Sequence, residues 1–216
     1  MNRINMIKLV YCDVSDLDLA KACQYLSDKR KEKVNSFRFD KDKKLSAGAY
    51  LLLMKLLDEE NIAQPAFGTG KYGKAYITNC EDIYFNLSHS EKLVACAISD
   101  REVGVDVEYN DPEIDLNIAK HYFFNTEYEG IMNSENPSDE FFKYWVLKES
   151  YMKYTGLGFN LALDEFEIMI NEDIKLKNDE NDLKFDVFDI DNYKLAICSH
   201  YHLKKPIGCS TEDLVI

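Results

Sequence analysis

Lys92-Leu93-Val94-Ala95-Cys96 is echoed further along the chain by Lys194-Leu195-Ala196-Ile197-Cys198. Each run reads as a β-strand, and each closes a series of helix-like and strand-like segments. Upstream of the first copy, residues 4–12 read as a strand. Residues 15–26 carry helical spacing at Leu17, Ala20 and Leu26, with Ser15 placed to cap the helix. Residues 42–57 form a strongly apolar helical stretch that ends in Asp58-Glu59-Glu60. Gly68, Gly70 and Gly73 mark residues 67–74 as a loop. Strands are expected at 75–78, 83–87, 93–99 and 103–108. Upstream of the second copy, helices are expected at 114–124, 126–132 and 138–154, and strands at 165–170, 184–190 and 193–200. This order predicts an α+β fold of two similar α-then-β halves related by a pseudo-twofold, 1–100 and 101–216, with the boundary near Asp100.

The 216 residues are 46% hydrophobic, with 14 Tyr and 12 Phe, enough for an ordinary buried core. No apolar run approaches the roughly 20 residues that span a bilayer. The first eight residues lack the basic-then-apolar layout of a secretory signal, so the expected location is cytoplasmic, with no membrane partner. The six cysteines, Cys12, Cys23, Cys80, Cys96, Cys198 and Cys209, are scattered and include no Cys-x-x-Cys pair. They read as free thiols rather than a disulfide framework or a zinc site. A net charge of −13 argues against general nucleic-acid binding.

Four segments carry possible chemistry. In Val103-Gly104-Val105-Asp106-Val107-Glu108, strand alternation puts the valines on one face and Gly104, Asp106 and Glu108 on the other. Carboxylates at i and i+2 lie about 6.5–7 Å apart along a strand, close enough to share a cation; a solvated edge strand fits as well. Gly104 weakens a strand unless something approaches it closely. In Trp145-Val146-Leu147-Lys148-Glu149-Ser150-Tyr151-Met152-Lys153, helical spacing groups Trp145, Glu149, Met152 and Lys153. That grouping offers a third carboxylate with lysines for phosphate, or a surface Glu149–Lys153 pair worth about 0.2–0.5 kcal/mol. Phe85-Asn86-Leu87-Ser88-His89-Ser90 ends an apolar strand in groups able to meet an anion, or is a plain strand-end turn. It lacks the Gly-x-Ser-x-Gly elbow of a hydrolase. Tyr72-Gly73-Lys74 can bring backbone and a cation to phosphate, or can form a β-turn, but is not a Walker loop.

Taken in order, Gly-Lys, Asn-x-Ser-His-Ser, Val-Gly-Val-Asp-x-Glu and Trp-x-x-Lys-Glu-x-x-x-Lys resemble the 4′-phosphopantetheinyl transferase superfamily. The length and duplicated halves look like its larger, monomeric, surfactin-synthetase-activating type. The resemblance runs from about Lys29 to the final strands. It implies that the chain moves the 4′-phosphopantetheine group of coenzyme A to a serine of an apo acyl or peptidyl carrier protein, releasing 3′,5′-ADP. It also implies a magnesium ion held by Asp106, Glu108 and Glu149. Lys74, Ser88, His89 and Lys153 would meet coenzyme A phosphates, and Arg30 and Lys33 of the basic cluster would hold the 3′-phosphate. The first half would thus supply phosphate-binding elements, and the second the magnesium motifs and the catalytic helix.

Where many relatives carry an arginine early in the long helix, this chain has Lys43-Lys44. On that resemblance the base that takes the serine proton would be Glu149, directly or through a metal-bound water, with Glu127 of the Thr-Glu-Tyr element as the alternative. Carriers of fatty-acid, polyketide or peptide synthesis all fit. Two rival classes are a non-catalytic relative that only binds coenzyme A or a carrier, and a magnesium-dependent nucleotide hydrolase, whose phosphate loop is absent from the sequence.

Overall fold

The chain, described over residues 7–215 in a computed structural model, runs through the same element order twice. The first pass is β1 (Lys8–Asp13), α1 (Leu19–Ala22), α2 (Asp28–Ser36), α3 (Asp40–Glu59), the hairpin β2 (Phe67–Thr69) and β3 (Ala75–Ile77), then β4 (Tyr84–Ser90) and β5 (Leu93–Ser99). The second pass begins with β6 (Gly104–Tyr109), α4 (Asn117–Tyr122), α5 (Asn125–Met132) and α6 (Pro137–Thr155). The hairpin β7 (Ile168–Ile170) and β8 (Ile174–Leu176) follows, then β9 (Lys184–Ile190) and β10 (Tyr193–Ser199). Pairing repeats as well: β5 lies between β1 and β4, and β10 between β6 and β9, all antiparallel. The last strand, β11 (Ile207–Cys209), returns to pair in parallel with β1.

Alternation in the two echoed strands builds the layers. Val94, Cys96 and Ile98 of β5 turn toward α3, while Leu93, Ala95 and Ala97 turn the other way. In β10, Ala196 and Cys198 turn toward α6, and Tyr193, Leu195 and Ile197 turn inward. The inward sets meet each other, together with Val103, Val105 and Val107, in a core between the two sheets. The result is helix, sheet, sheet, helix. A one-residue slip of β5 or β10 would exchange its two apolar sets between different cores, so both faces fix the register.

The structure differs from the sequence expectations at several ends. The first strand is described only from Lys8, and the part expected at 4–6 lies outside the described residues. The helix expected at 15–26 is a short α1 followed by a 3-10 turn, and Asp18 rather than Ser15 caps it by accepting from Ala20 N and Lys21 N. The glycine-rich loop contains β2, because Gly68 lets the Tyr76 ring lie against it across the hairpin. Ser88-His89-Ser90 continues β4 instead of ending it. The strands β8 and β11, only three residues each, carry too little alternation to be read. Among the described residues no helix is long and apolar enough to cross a membrane, and none of the six cysteines is in a disulfide.

Candidate functional site

The edge strands β4 and β6 belong to different sheets, yet side chains sew them together. Asn86 Oδ1, Ser88 Oγ and Ser90 Oγ accept hydrogen bonds from Val105 N, Val107 N and Tyr109 N at 3.0, 3.3 and 3.1 Å. The period-2 pattern Asn-x-Ser-x-Ser thus does the work of a missing main-chain ladder and protects two otherwise open edges. The same hydroxyls donate onward. Ser88 Oγ donates to Asp106 Oδ1 at 2.8 Å, and Ser90 Oγ donates to Glu108 Oε2 at 2.7 Å.

Helix α6 brings the remaining groups. Asn136 caps it, Pro137 occupies its first turn, and Gly156 ends it at φ 71°. It lies directly on β6 because Gly104 has no side chain. A Cβ there would sit 2.0 Å from Ser150 O and 2.3 Å from Tyr154 N. Lys153 then reaches across to donate to Asp106 Oδ1 at 2.6 Å and to Ser88 Oγ at 2.8 Å. No Glu149–Lys153 bridge forms among the described residues, because Lys153 is drawn to Asp106. Met152 instead turns into the second core, and Trp145 stacks on Phe123 and Phe141.

This junction is charged and poorly solvated. Burial, then the neighbouring Asp106 charge, pushes the Glu108 carboxyl up to about 7. Burial, then Asp106, raises Glu149 to about 7 as well, and Glu108 adds to the repulsion. Asp106 is 2% exposed, and its Oδ2, like Glu149 Oε1, is buried with no hydrogen-bond partner. Unsatisfied hard oxygens on mutually repelling carboxylates are the donor set that suits magnesium. As the side chains stand, no three His, Cys, Asp or Glu among the described residues form a ready metal cage. His89 sits on the opposite face of β4 from Ser88. Desolvation and the Lys153 charge hold its imidazole below the usual histidine range.

Ser88, Ser90, Asp106, Glu108, Glu149 and Lys153 are therefore brought together, while His89 stands on the other face of β4. The other sequence candidates are bonded elsewhere. Arg30 donates to Ser46 O at 2.5 Å and lies over the Tyr50 ring, so it packs on α3. Lys33 is exposed on α2. Lys74 pairs with Glu102 at 2.6 Å and donates to Tyr154 O at 2.9 Å, which caps the C-terminal end of α6. Lys44 donates to Ser15 O, and Lys43 pairs with Asp40 at 3.1 Å.

Glu127 is 1% exposed and spends its oxygens on Lys148 Nζ, Phe124 N and Ile168 N. Sequence reasoning offered Lys148, with Lys153, to phosphate, but the structure turns it inward. It is fully buried, pairs with Glu127 at 2.9 Å, and donates to Leu163 O and Phe166 O at 2.9 and 2.7 Å. The bonding roles of Asn86 and Ser90 were missed, although their alternation with Ser88 was visible.

Residues 102–198 match the family profile of the 4′-phosphopantetheinyl transferase superfamily. The chain is 30% identical over 185 residues to the 4′-phosphopantetheinyl transferase Sfp of Bacillus subtilis (strain 168), covering 81% of this chain and 82% of that protein. It is 28% identical over 202 residues to the 4′-phosphopantetheinyl transferase ffp of Bacillus subtilis, covering 88% and 90%. Among solved structures, the holo-[acyl-carrier-protein] synthase of Thermotoga maritima aligns with a TM-score of 0.39 at 17% identity, over 45% of this chain and 61% of that one.

Proposed function

From the premise that the chain belongs to the 4′-phosphopantetheinyl transferase superfamily, we propose that it transfers the 4′-phosphopantetheine group of coenzyme A to a serine of an apo carrier protein and releases 3′,5′-ADP. The observation that carries the assignment to a site is the junction of Ser88, Asp106 and Lys153, flanked by Glu108 and Glu149. Nothing in that junction favours a relative that binds coenzyme A without acting on it.

Phosphoryl transfer needs alignment and charge neutralisation more than covalent help from the protein. Asp106, Glu108 and Glu149 would hold magnesium, which when bound neutralises the diphosphate and the departing oxygen. Lys153 and Ser88 position phosphate oxygens from one side of the cluster, and His89 adds a donor from the other face of β4. Arg30, Lys33 and Lys74 complete the phosphate set. Arg30 and Lys74 reach it by giving up their bonds to Ser46 and Glu102.

The carrier serine Oγ attacks the β-phosphorus, its proton passes to a carboxylate, and the bond to 3′,5′-ADP breaks. Glu149 is the base: its Oε1 is buried at the junction with no hydrogen-bond partner, so it is open to the serine proton. Glu127, with both oxygens engaged, is the weaker candidate. One chain supplies Ser88 from one sheet and Asp106 from the other, so a monomer suffices. At −13 the chain does not attract acidic carriers by net charge, and docking rests on local basic or apolar patches.

The test incubates the protein with coenzyme A, magnesium and an apo acyl or apo peptidyl carrier, and reads intact carrier mass with and without EDTA. One phosphopantetheine gained, and lost with EDTA, is the expected result. Coenzyme A binding with no mass gain on either carrier would overturn the catalytic assignment in favour of a binding relative.

A further inference from the structure

Cys12 on β1 and Cys209 on β11 are register partners in the parallel pair that ties the end of the chain to its beginning. Neighbouring strands lie about 4.7–4.9 Å apart. That falls inside the Cα separation of roughly 4.4–6.8 Å that a disulfide spans. The two side chains lie close enough for each to shift the other's titration, while Cys12 Sγ donates to Asp13 O at 3.5 Å. We propose that Cys12 and Cys209 form a reversible, redox-responsive disulfide that staples β11 to β1.

The two sulfurs differ in the way a stepwise reaction needs. Cys12 is fully buried, whereas Cys209 is partly exposed and lines a cavity of about 510 Å³ shared with Tyr11, Asp13 and Lys92. A small disulfide reaches Cys209 first. The neighbouring Cys12 also draws the Cys209 thiol below the ordinary range, while Cys209 and burial push Cys12 above it. The Cys209 thiolate attacks one sulfur of a low-molecular-weight disulfide RSSR and expels RS⁻, leaving Cys209–S–S–R. Cys12 then attacks Cys209 Sγ and expels the second RS⁻. Its proton and that of Cys209 end on the two RSH, so two protein thiols are oxidised and one RSSR is reduced. Cys80, Cys96 and Cys198 are buried, and Cys23 lies in a 3-10 turn and has no cysteine across a strand.

The bond would close almost the whole chain into a loop and fix a three-residue edge strand. It would also hold the following turn, whose Leu214 and Val215 pack in the first core. Long loops gain most from such closure in the chain-entropy account. In a reducing compartment the pair stays open, so the staple reports oxidation.

The full-length protein is treated with excess oxidised glutathione and examined by intact mass, peptide mapping and thermal melting. Expected are loss of two hydrogens with no glutathione retained, a Cys12–Cys209 crosslinked peptide, and a rise in Tm of about 5–10 °C that dithiothreitol reverses. Cys209→Ser should abolish all three changes, and Cys23→Ala should leave them intact. Cys12→Ser, if it folds, should stop at a glutathione adduct on Cys209. Thiols that stay reduced, a stable glutathione adduct in the unaltered protein, or a crosslink through another cysteine would overturn the proposal.

Discussion

Lys153 Nζ stands 2.6 Å from Asp106 Oδ1, while the second oxygen of that carboxylate is buried with no partner. One half of Asp106 is therefore satisfied from within the chain and the other half is reserved. Asp106→Ala removes both. It should lower carrier modification by at least about 10²–10³-fold, the scale on which single charge-stabilising groups act. Far-UV circular dichroism should be unchanged. Retained activity in a folded Asp106→Ala protein would sink the assignment of the metal-holding carboxylates.

The raised carboxyls make stability depend on pH. Glu108 and Glu149 titrate near 7 in the folded chain against about 4.5 when unfolded. The folded state thus prefers their protonated forms. Stability from these groups is fully present below about 4.5 and is lost as pH rises through about 7. His89, held below its usual value, works in the opposite sense, gaining stability as pH rises. The comparison with Glu149→Gln isolates the carboxyl. Without magnesium, the variant should melt above the unaltered protein at pH 8, with the gap closing by pH 5. A gap that widens toward acid would contradict the burial of Glu149.

Much of this was readable from the residues. The Leu-x-x-Cys echo at Leu93–Cys96 and Leu195–Cys198 marked the two central strands, because a strand buried on both faces reads as a short continuous apolar run. Val-Gly-Val-Asp-Val-Glu announced its own geometry, since only a close neighbour justifies a glycine in a strand. The directions of long side chains were not readable. Lys74 and Arg30 are flexible cations, and sequence alone could not show that a helix end and a tyrosine ring already hold them. Nor could it show that Lys148 and Glu149, adjacent in one motif, face a buried ion pair and the carboxylate cluster respectively.

Gly104→Ala tests how the site is spaced. The added Cβ would sit 2.0 Å from Ser150 O, a backbone atom that cannot swing aside. The helix must move off β6, which draws Glu149 and Lys153 away from Asp106. Overpacking of this kind costs about 1–3 kcal/mol or more. The variant should lose about 1–3 kcal/mol or more in urea denaturation and most of its transfer activity even where folded. A stable, active Gly104→Ala protein would show that the close approach of helix and strand is dispensable.

Lys148 and Glu127 separate structure from chemistry. Burial pushes Glu127 up and Lys148 down, each toward its neutral form and against the pull of its partner. Three phenyl rings surround the ammonium, from Phe123, Phe124 and Phe166. Lys148→Met leaves Glu127 buried without its cation and should cost about 3–5 kcal/mol. Glu127→Gln keeps the oxygen that accepts from Ile168 N or Phe124 N, but strands the lysine. Together the two changes remove both charges, so the double variant should be more stable than the sum of the single losses allows. The same cycle examines the base. With Glu149 in that role, Glu127→Gln should keep turnover within about tenfold in the folded fraction, below the roughly 10²–10⁴-fold that a general base supplies. A loss of that larger size with stability intact would move the base from Glu149 to Glu127.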